Sequence, residues 1–248
     1  VNSGSEAIEG AMKLAKRMTG RSEMMAFKNS YHGSTQGALS ILGDEEMKSA
    51  YRPLLPDVKF LNYDDITELD KISTRTACVV VEAVQAEAGI KVPEKEFMKA
   101  LEKKCRSTET VLILDEVQMG FGRTGKMFGF QNFDIIPDII CIAKGMGGGM
   151  PIGAFISSKE NMNLLTHNPA LGHITTFGGH PVSSAAALAS LQVILEDDLA
   201  KHAVIKGEKI AAGLINNEKV AEIRQIGLML GIELKEEYSV SKMVKVLQ

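Results

Sequence analysis

Apolar and polar positions follow two patterns along the chain. Short apolar runs bounded by polar or turn residues occur at 24–27, 78–81, 111–114 and 139–142. Such runs are typical of strands that are buried on both faces of a parallel sheet. Segments with helical periodicity lie between or after them, at 5–18, 94–106 and 181–196. This alternation predicts an α/β domain with a mostly parallel sheet flanked by helices.

The pattern changes near residue 198. Residues 199–215 predict a long helix, and Gly227 to Leu234 predict a strand. We therefore expect a large domain over 1–198 and the start of a small C-terminal α+β domain over 199–248.

Composition narrows the class of protein. Of the 248 residues, 45% are hydrophobic and 24% are charged, and the net charge is -3, as in an ordinary soluble globular protein. We expect no nucleic-acid partner and no membrane, because no basic run and no apolar stretch of bilayer length is present. Three isolated cysteines suggest reduced thiols in a cytoplasmic protein. The sequence begins without methionine and inside a motif, so we expect a fragment of a longer chain.

Acids follow two of the predicted strands directly, at the edge where open parallel sheets bind ligands. Glu82 follows the run at 78–81, and Asp115 follows the run at 111–114. A carboxylate at the end of a buried strand is costly without a charged partner, and a protonated ring nitrogen would be one such partner. Alternatively, Asp115 caps the following turn.

Lys144 comes two residues after the run at 139–142 and before the glycine-rich segment 145–149. A lysine in this position can be desolvated, which favours the neutral amine that attacks an aldehyde. The glycines would let the backbone approach a bulky ligand closely. Alternatively, Lys144 is a surface lysine in a flexible loop.

Small residues begin the first helical segment, at Ser3-Gly4-Ser5. The free N–H groups and the positive end of the helix dipole suit a phosphate group, although an ordinary N-cap has the same composition. Tyr31, beside a glycine, could stack on a flat ligand or pack within its loop. Thr176 could bind phosphate or cap a turn.

Seven segments spread over nearly the whole chain share the motifs of one family: NSGSEA at 2–7, YHG at 31–33, EAVQAEAG at 82–89, LDEVQMGFGRTG at 114–125, AKGMGGGMPIGA at 143–154, TTFGGHP at 175–181 and GLMLGIEL at 227–234. With these segments the chain resembles the class III aminotransferases of pyridoxal-phosphate (PLP) fold type I. That group contains the acetylornithine, ornithine and 4-aminobutyrate aminotransferases. The resemblance implies a PLP-dependent transfer of an ω-amino group to a 2-oxo acid, either 2-oxoglutarate or pyruvate.

The resemblance also implies a role for each matching residue. Lys144 would hold PLP as a Schiff base and move the substrate proton, and Asp115 would pair with the pyridine nitrogen. The other expected cofactor contacts are Gly4 and Ser5 to the phosphate, Tyr31 and Val117 to the two ring faces, Gln118 to the phenolic oxygen, and Thr176 to the phosphate of a neighbouring subunit. We expect a homodimer with shared active sites for that reason.

The sequence identifies the amino donor less closely than it identifies the cofactor. Glu82, Glu87, Ser34 and Thr175 are the expected substrate contacts, and by the resemblance Glu87 matches the family's candidate for a gate between its two substrates. Ser34 departs from the family, in which an arginine usually follows the aromatic-His-Gly segment and binds a substrate carboxylate. Serine cannot form that bidentate charged contact. The acetylornithine or ornithine type and the ω-amino acid type, acting on 4-aminobutyrate or β-alanine, therefore both remain open.

Two readily distinguishable alternatives come from other classes. The glycines at 145–149 could belong to a nucleotide-binding module, but such a site needs a helix directly after them, and Met150 to Ile156 predicts a strand. A core without catalytic activity is also conceivable, yet Lys144, Asp115 and Gln118 are all present.

Overall fold

The computed structural model describes residues 1–238 together with residues 240 and 244. Its helices are α1 (Gly4–Thr19), α2 (Gln36–Ser40), α3 (Lys95–Thr108), α4 (Lys159–Asn163), α5 (Pro181–Glu196) and α6 (Leu199–Leu214). Its strands are β1 (Glu23–Phe27), β2 (Val58–Leu61), β3 (Thr76–Glu82), β4 (Val111–Asp115), β5 (Ile139–Ile142), β6 (Ala154–Ile156), β7 (Val220–Ile226) and β8 (Met229–Leu234). The predicted α/β class is confirmed.

The main sheet has the strand order β2-β1-β3-β4-β5-β6. The first five of these strands are parallel, and β6 pairs with β5 in the antiparallel direction at the edge. In this register Glu82 lies opposite Asp115, so the two acids end neighbouring strands at the same edge of the sheet.

The core forms two layers because successive strand residues point to opposite faces of the sheet. Val79 and Val81 pack on the face that α3 covers, together with Phe97. Cys78 and Val80 pack on the face that α1 covers. The strands β3 and β4 are buried along their whole length, which explains why their sequences are continuous apolar runs.

The C-terminal part contains α6 and an antiparallel hairpin of β7 and β8. The predicted strand from Gly227 begins at Met229 instead, because Gly227 has a φ of 55° and lies in the hairpin turn. The domain boundary near 198 stays a prediction. The sequence pattern did not predict β2 or β7. Five of the seven residues of β7 are only partly buried and the other two are exposed, without a regular alternation.

Two observations bear on the expectations from composition. Among the described residues, no helix is both long enough and apolar enough to cross a membrane. Cys78, Cys105 and Cys141 are free thiols and all three are buried. Burial raises the pKa of Cys78 to about 12, which keeps this thiol protonated and unreactive.

Candidate active site

A cavity of about 330 Å³ lies where the carboxyl ends of β3, β4 and β5 meet the N-terminus of α1. This is the edge at which open parallel sheets bind ligands. Nine of the twelve predicted site residues line it: Gly4, Ser5, Tyr31, Glu82, Glu87, Asp115, Val117, Gln118 and Lys144. The sheet therefore brings together residues that are up to 140 positions apart in sequence, from Gly4 to Lys144.

The remaining three predicted residues do not line this cavity. Ser34 is exposed next to Gly33, which does line it. Thr175 lines a different cavity, and Thr176 is exposed. The position of Ser34 and Thr175 outside this cavity does not support the substrate contacts expected of them. The contact expected of Thr176 is to the phosphate of a second subunit.

The first turn of α1 presents free backbone donors to the cavity. Ser3 is the N-cap, and its side-chain oxygen accepts from the N–H of Glu6 at 3.2 Å. Gly4 and Ser5 are the first two helical residues, whose N–H groups have no acceptor within a helix. A Cβ on Gly4 would lie 2.8 Å from Cγ1 of Val117, so only glycine lets the helix begin this close to β4. The arrangement suits an anion.

Asp115 ends β4 in a fixed orientation. Its Oδ2 lies 2.8 Å from Nδ1 of His32, and its Oδ1 accepts from the N–H of Val117 at 3.1 Å. Burial alone lowers the pKa of His32, but the hydrogen bond and charge of Asp115, with the charge of Glu82, outweigh it and raise that pKa. The carboxylate thus has the His32 ring on one side and the cavity on the other.

Glu82 ends β3 and is 6% exposed. Burial raises its pKa to about 7; His32 opposes this shift, and Asp115 adds to it. Its two carboxylate oxygens accept from the N–H groups of Tyr31 at 3.3 Å and Ala86 at 3.4 Å. Glu82 therefore contacts the protein backbone on both sides, which favours a structural contact to the Tyr31 loop over direct substrate binding.

Lys144 begins a short 3-10 turn that ends at Gly147, and its φ is 45°. The ammonium group donates to Oε1 of Gln118 at 3.3 Å. The expected desolvation is wrong for the chain as described, because Lys144 is exposed and borders two open cavities. The lysine is nevertheless within reach of a ligand in the first cavity.

Sequence reasoning assigned no role to His32 or Glu116, and both are buried. The only signal for His32 was its place inside the Tyr-His-Gly segment, and its contact with Asp115 needs the folded sheet. Glu116 accepts from the N–H groups of Gly129 at 2.7 Å and Phe130 at 2.8 Å, away from the cavity lining. Neighbouring side chains at the end of a strand point to opposite sides. Two consecutive acids there therefore indicate that one faces the cavity and the other faces away from it.

Comparison with known proteins supports the interpretation of this geometry. The family model for class-III aminotransferases matches residues 1–248. The LysW-aminoadipate semialdehyde/glutamate semialdehyde transaminase of Sulfurisphaera tokodaii is 41% identical over 239 residues, which are 95% of this chain and 61% of that protein. An acetylornithine aminotransferase of Methanopyrus kandleri is 40% identical over 239 residues, covering 95% of this chain and 60% of that protein.

Solved structures agree with the sequence relatives. An aminotransferase from Bacillus anthracis superposes with a TM-score of 0.91 at 29% identity, covering 99% of this chain and 64% of that one. An ornithine aminotransferase from Toxoplasma gondii superposes with a TM-score of 0.89 at 28% identity. The match covers 96% of this chain and 59% of that one. The chain therefore spans about 60% of the length of the relatives that it matches.

Proposed function

This chain belongs to the class-III aminotransferases, and from that premise we propose that the full-length protein moves an amino group from an ω-amino donor to a 2-oxo acid with PLP as cofactor. Relatives at 40% identity that are named acetylornithine aminotransferases favour a donor of the acetylornithine or ornithine type. One observation carries the proposal: the start of α1, Asp115 and Lys144 line the same cavity.

The residues of the cavity fit PLP in their chemistry. The N–H groups of Gly4 and Ser5, at the positive end of a 16-residue helix, suit the phosphate. The Asp115 carboxylate suits a protonated ring nitrogen, and the Lys144 amine suits an aldehyde. Tyr31 and Val117 line the same cavity and would flank the ring.

When bound, PLP supplies an aldehyde that accepts the amino group and a ring that withdraws electrons from the carbon being deprotonated. Lys144 would hold the cofactor through its amine and, once released, take the proton from the donor carbon and return it to the cofactor. Asp115 would keep the ring nitrogen charged. His32 and the Val117 N–H fix that carboxylate in one orientation.

Gln118 accepts a hydrogen bond from Lys144 and would donate its amide N–H to the phenolic oxygen of the cofactor. The Glu82 carboxyl connects the N–H of Tyr31 to the N–H of Ala86 and so holds the loop that carries the Tyr31 ring. Positioning of this kind supplies a large part of the rate enhancement in reactions of bound groups.

We also propose a cytoplasmic homodimer in which Thr176 of one subunit reaches the phosphate site of the other. Thr176 lies in a segment with three largely exposed apolar side chains: Leu171 at 72%, Ile174 at 67% and Phe177 at 68%. Large apolar side chains exposed within one short segment are costly in water and are typical of an interface.

The test of the proposal uses the full-length protein loaded with PLP. We expect a visible absorbance band and, after borohydride reduction and peptide mapping, a cofactor covalently attached at Lys144. Lys144→Ala should remove both signals, whereas Lys126→Ala, at an exposed position in the loop after β4, should retain both. A covalent cofactor retained in Lys144→Ala would overturn the assignment.

Ser34 favours a second candidate, an ω-amino acid aminotransferase, because the chain lacks the usual arginine at this position. A donor panel separates the two. Loss of the visible band with N-acetylornithine or ornithine supports the first candidate, and loss with 4-aminobutyrate or β-alanine alone supports the second.

A further inference from the structure

Helix α1 carries a series of polar side chains that recur every fourth residue: Ser5, Glu9, Lys13 and Arg17. Side chains with this spacing are neighbours along the surface of a helix. Ser5 lines the cavity of the candidate active site, and Glu9 accepts from Oγ1 of Thr35, the residue before α2, at 2.6 Å. Lys13 and Arg17 do not line that cavity and contact a different loop. The series therefore connects α1 to two loops.

The second half of α1 holds the segment 164–172 through main-chain carbonyl groups. The Lys13 ammonium donates to the carbonyl oxygen of Gly172 at 2.5 Å. The Arg17 guanidinium donates to three carbonyl oxygens at the start of the segment: Asn168 at 2.6 Å, His167 at 3.0 Å and Leu164 at 3.2 Å. A guanidinium suits such a set because it presents several donors in a fixed plane. Two cations of α1 therefore hold the segment at both of its ends.

Thr176 lies four residues beyond this attachment, in a short span that has a second fixed end. Pro181 begins α5, and the side chain of its N-cap His180 accepts from the N–H of Val182 at 3.3 Å. Thr176 itself is exposed and does not line the active-site cavity of its own chain. The span 173–179 is thus held by α1 at one end and by α5 at the other, with Thr176 at its centre.

A loop that presents one hydroxyl group to a ligand binds that ligand better when its ends are fixed beforehand. Ordering a flexible backbone on binding costs free energy, and a loop that is already ordered avoids this cost. Because Arg17 does not line the cavity of its own chain, loss of its hydrogen bonds should act on ligand binding through the loop and not by direct contact.

We propose that Arg17 is a positioning residue for the active site of the partner subunit, because it fixes the loop that presents Thr176 to the cofactor phosphate there. The inference rests on the proposed function, which supplies the homodimer and the contact of Thr176. The same helix brings Gly4 and Ser5 to the cavity of its own subunit. Helix α1 thus takes part in both active sites of the dimer, in one directly and in the other through the segment 164–172.

The experiment uses hybrid dimers of the full-length protein, purified through a different affinity tag on each subunit. One subunit carries Lys144→Ala, so that the visible absorbance band of the covalently held cofactor reports only the site of the other subunit. Arg17→Gln is then placed either on the Lys144→Ala subunit or on the subunit with the reporting site. Titration of each hybrid with PLP gives the Kd of the reporting site.

The expected result is a loss of affinity that crosses the interface. With Arg17→Gln on the opposite subunit, the Kd should rise by about fivefold, which is part of the roughly tenfold cost of one charged hydrogen bond. With Arg17→Gln on the reporting subunit, the Kd should change less than about twofold. A merely structural role would instead weaken the site of the subunit that carries the change, since α1 forms part of that site. Equal losses in the two hybrids, or a loss confined to that subunit, would overturn the inference.

Lys16→Gln is the matched control, because Lys16 is the neighbouring basic residue of α1 and the loop carbonyl groups accept from Lys13 and Arg17 instead. This control should leave the Kd unchanged in both hybrids, and a loss equal to that of Arg17→Gln would reduce the effect to general charge. Arg17→Lys retains the charge but offers fewer donors in a fixed plane, so it should restore part of the affinity.

Thr176→Val separates the positioning role from the proposed function. On the Lys144→Ala subunit it should weaken the opposite site by about tenfold, and Arg17→Gln on the same subunit should add little, because both changes act through one contact. Unchanged affinity with Thr176→Val contradicts the shared active site of the proposed function. A loss with Thr176→Val but none with Arg17→Gln contradicts the positioning role alone.

Discussion

Single residues in this site have roles that depend on their neighbours. Asp115 and Glu116 are consecutive acids, yet Asp115 faces the cavity beside His32 and Glu116 is bound by two backbone N–H groups. Burial raises the pKa of Glu116 to about 7, against the opposing effect of these two donors. Only the first acid is placed to stabilise charge on a ligand.

Replacement of Asp115 tests whether this acid, and not Glu116, acts on the bound ligand. Asp115→Asn retains the size of the side chain but removes its charge, so we expect kcat to fall by about 10²–10³-fold, as for the loss of one preorganised electrostatic contact. PLP affinity should change less, because the helix N-terminus and Lys144 remain. Steady-state kinetics and cofactor titration measure the two effects, and near-normal turnover would contradict the assigned role.

At the scale of elements, the start of α1 is the most constrained part of the site. The helix is capped by Ser3, and Gly4 is in close contact with Val117 after β4. Helix and sheet therefore meet at the position where we expect the phosphate. A side chain at Gly4 would separate them.

Gly4→Ala should weaken PLP binding by about tenfold, since overpacking of this kind costs about 1–3 kcal/mol. Its Cβ would lie 2.8 Å and 2.9 Å from the two methyl carbons of Val117. Gly213→Ala is the matched control in α6, where a Cβ meets nothing within 4 Å. This control should leave PLP affinity unchanged and raise helix stability by about 1 kcal/mol. Equal PLP affinity in both variants would contradict the packing argument.

At the scale of the whole molecule, the sheet buries ionisable groups at its carboxyl edge, and stability should depend on pH as a result. Burial raises the pKa of both Glu82 and Glu116 to about 7. A carboxyl whose folded pKa lies above its unfolded value binds its proton more tightly in the folded state. Its contribution to stability is therefore complete below about pH 4.5 and is lost as the pH rises through about 7.

Glu116→Gln isolates one such contribution, because glutamine does not titrate and Glu116 does not line either cavity at the site. Between pH 4.5 and pH 7.5, the unaltered protein should lose about 3 kcal/mol more unfolding free energy than the variant, at about 1.4 kcal/mol per pH unit. Denaturant unfolding at several pH values measures this difference. Parallel curves for the two proteins would contradict it.

Glu23→Gln is a control in which the pH dependence of stability should have the opposite sign to that of Glu116. Burial alone raises the pKa of Glu23, but hydrogen bonds from Lys59 and Thr76 outweigh it and lower that pKa. The stabilising contribution of Glu23 is therefore present above its unfolded pKa and is lost as the pH falls, so this variant should differ most from the unaltered protein near neutral pH.

The sequence by itself determined the α/β class, the four central strands, the long helices and nine residues of the cavity lining. It could do so because fully buried strands need unbroken apolar runs and because ligands bind where such strands end. The edge strand β2 and the hairpin strand β7 were missed, since their partly exposed residues leave no such pattern.

Only the tertiary structure decided which groups face one another. It placed His32 against Asp115, 83 positions apart, left Lys144 exposed, and excluded Thr175 from the first cavity. Local pattern cannot determine such contacts, because they depend on strand order and on how closely α1, α6 and the loops pack on the sheet.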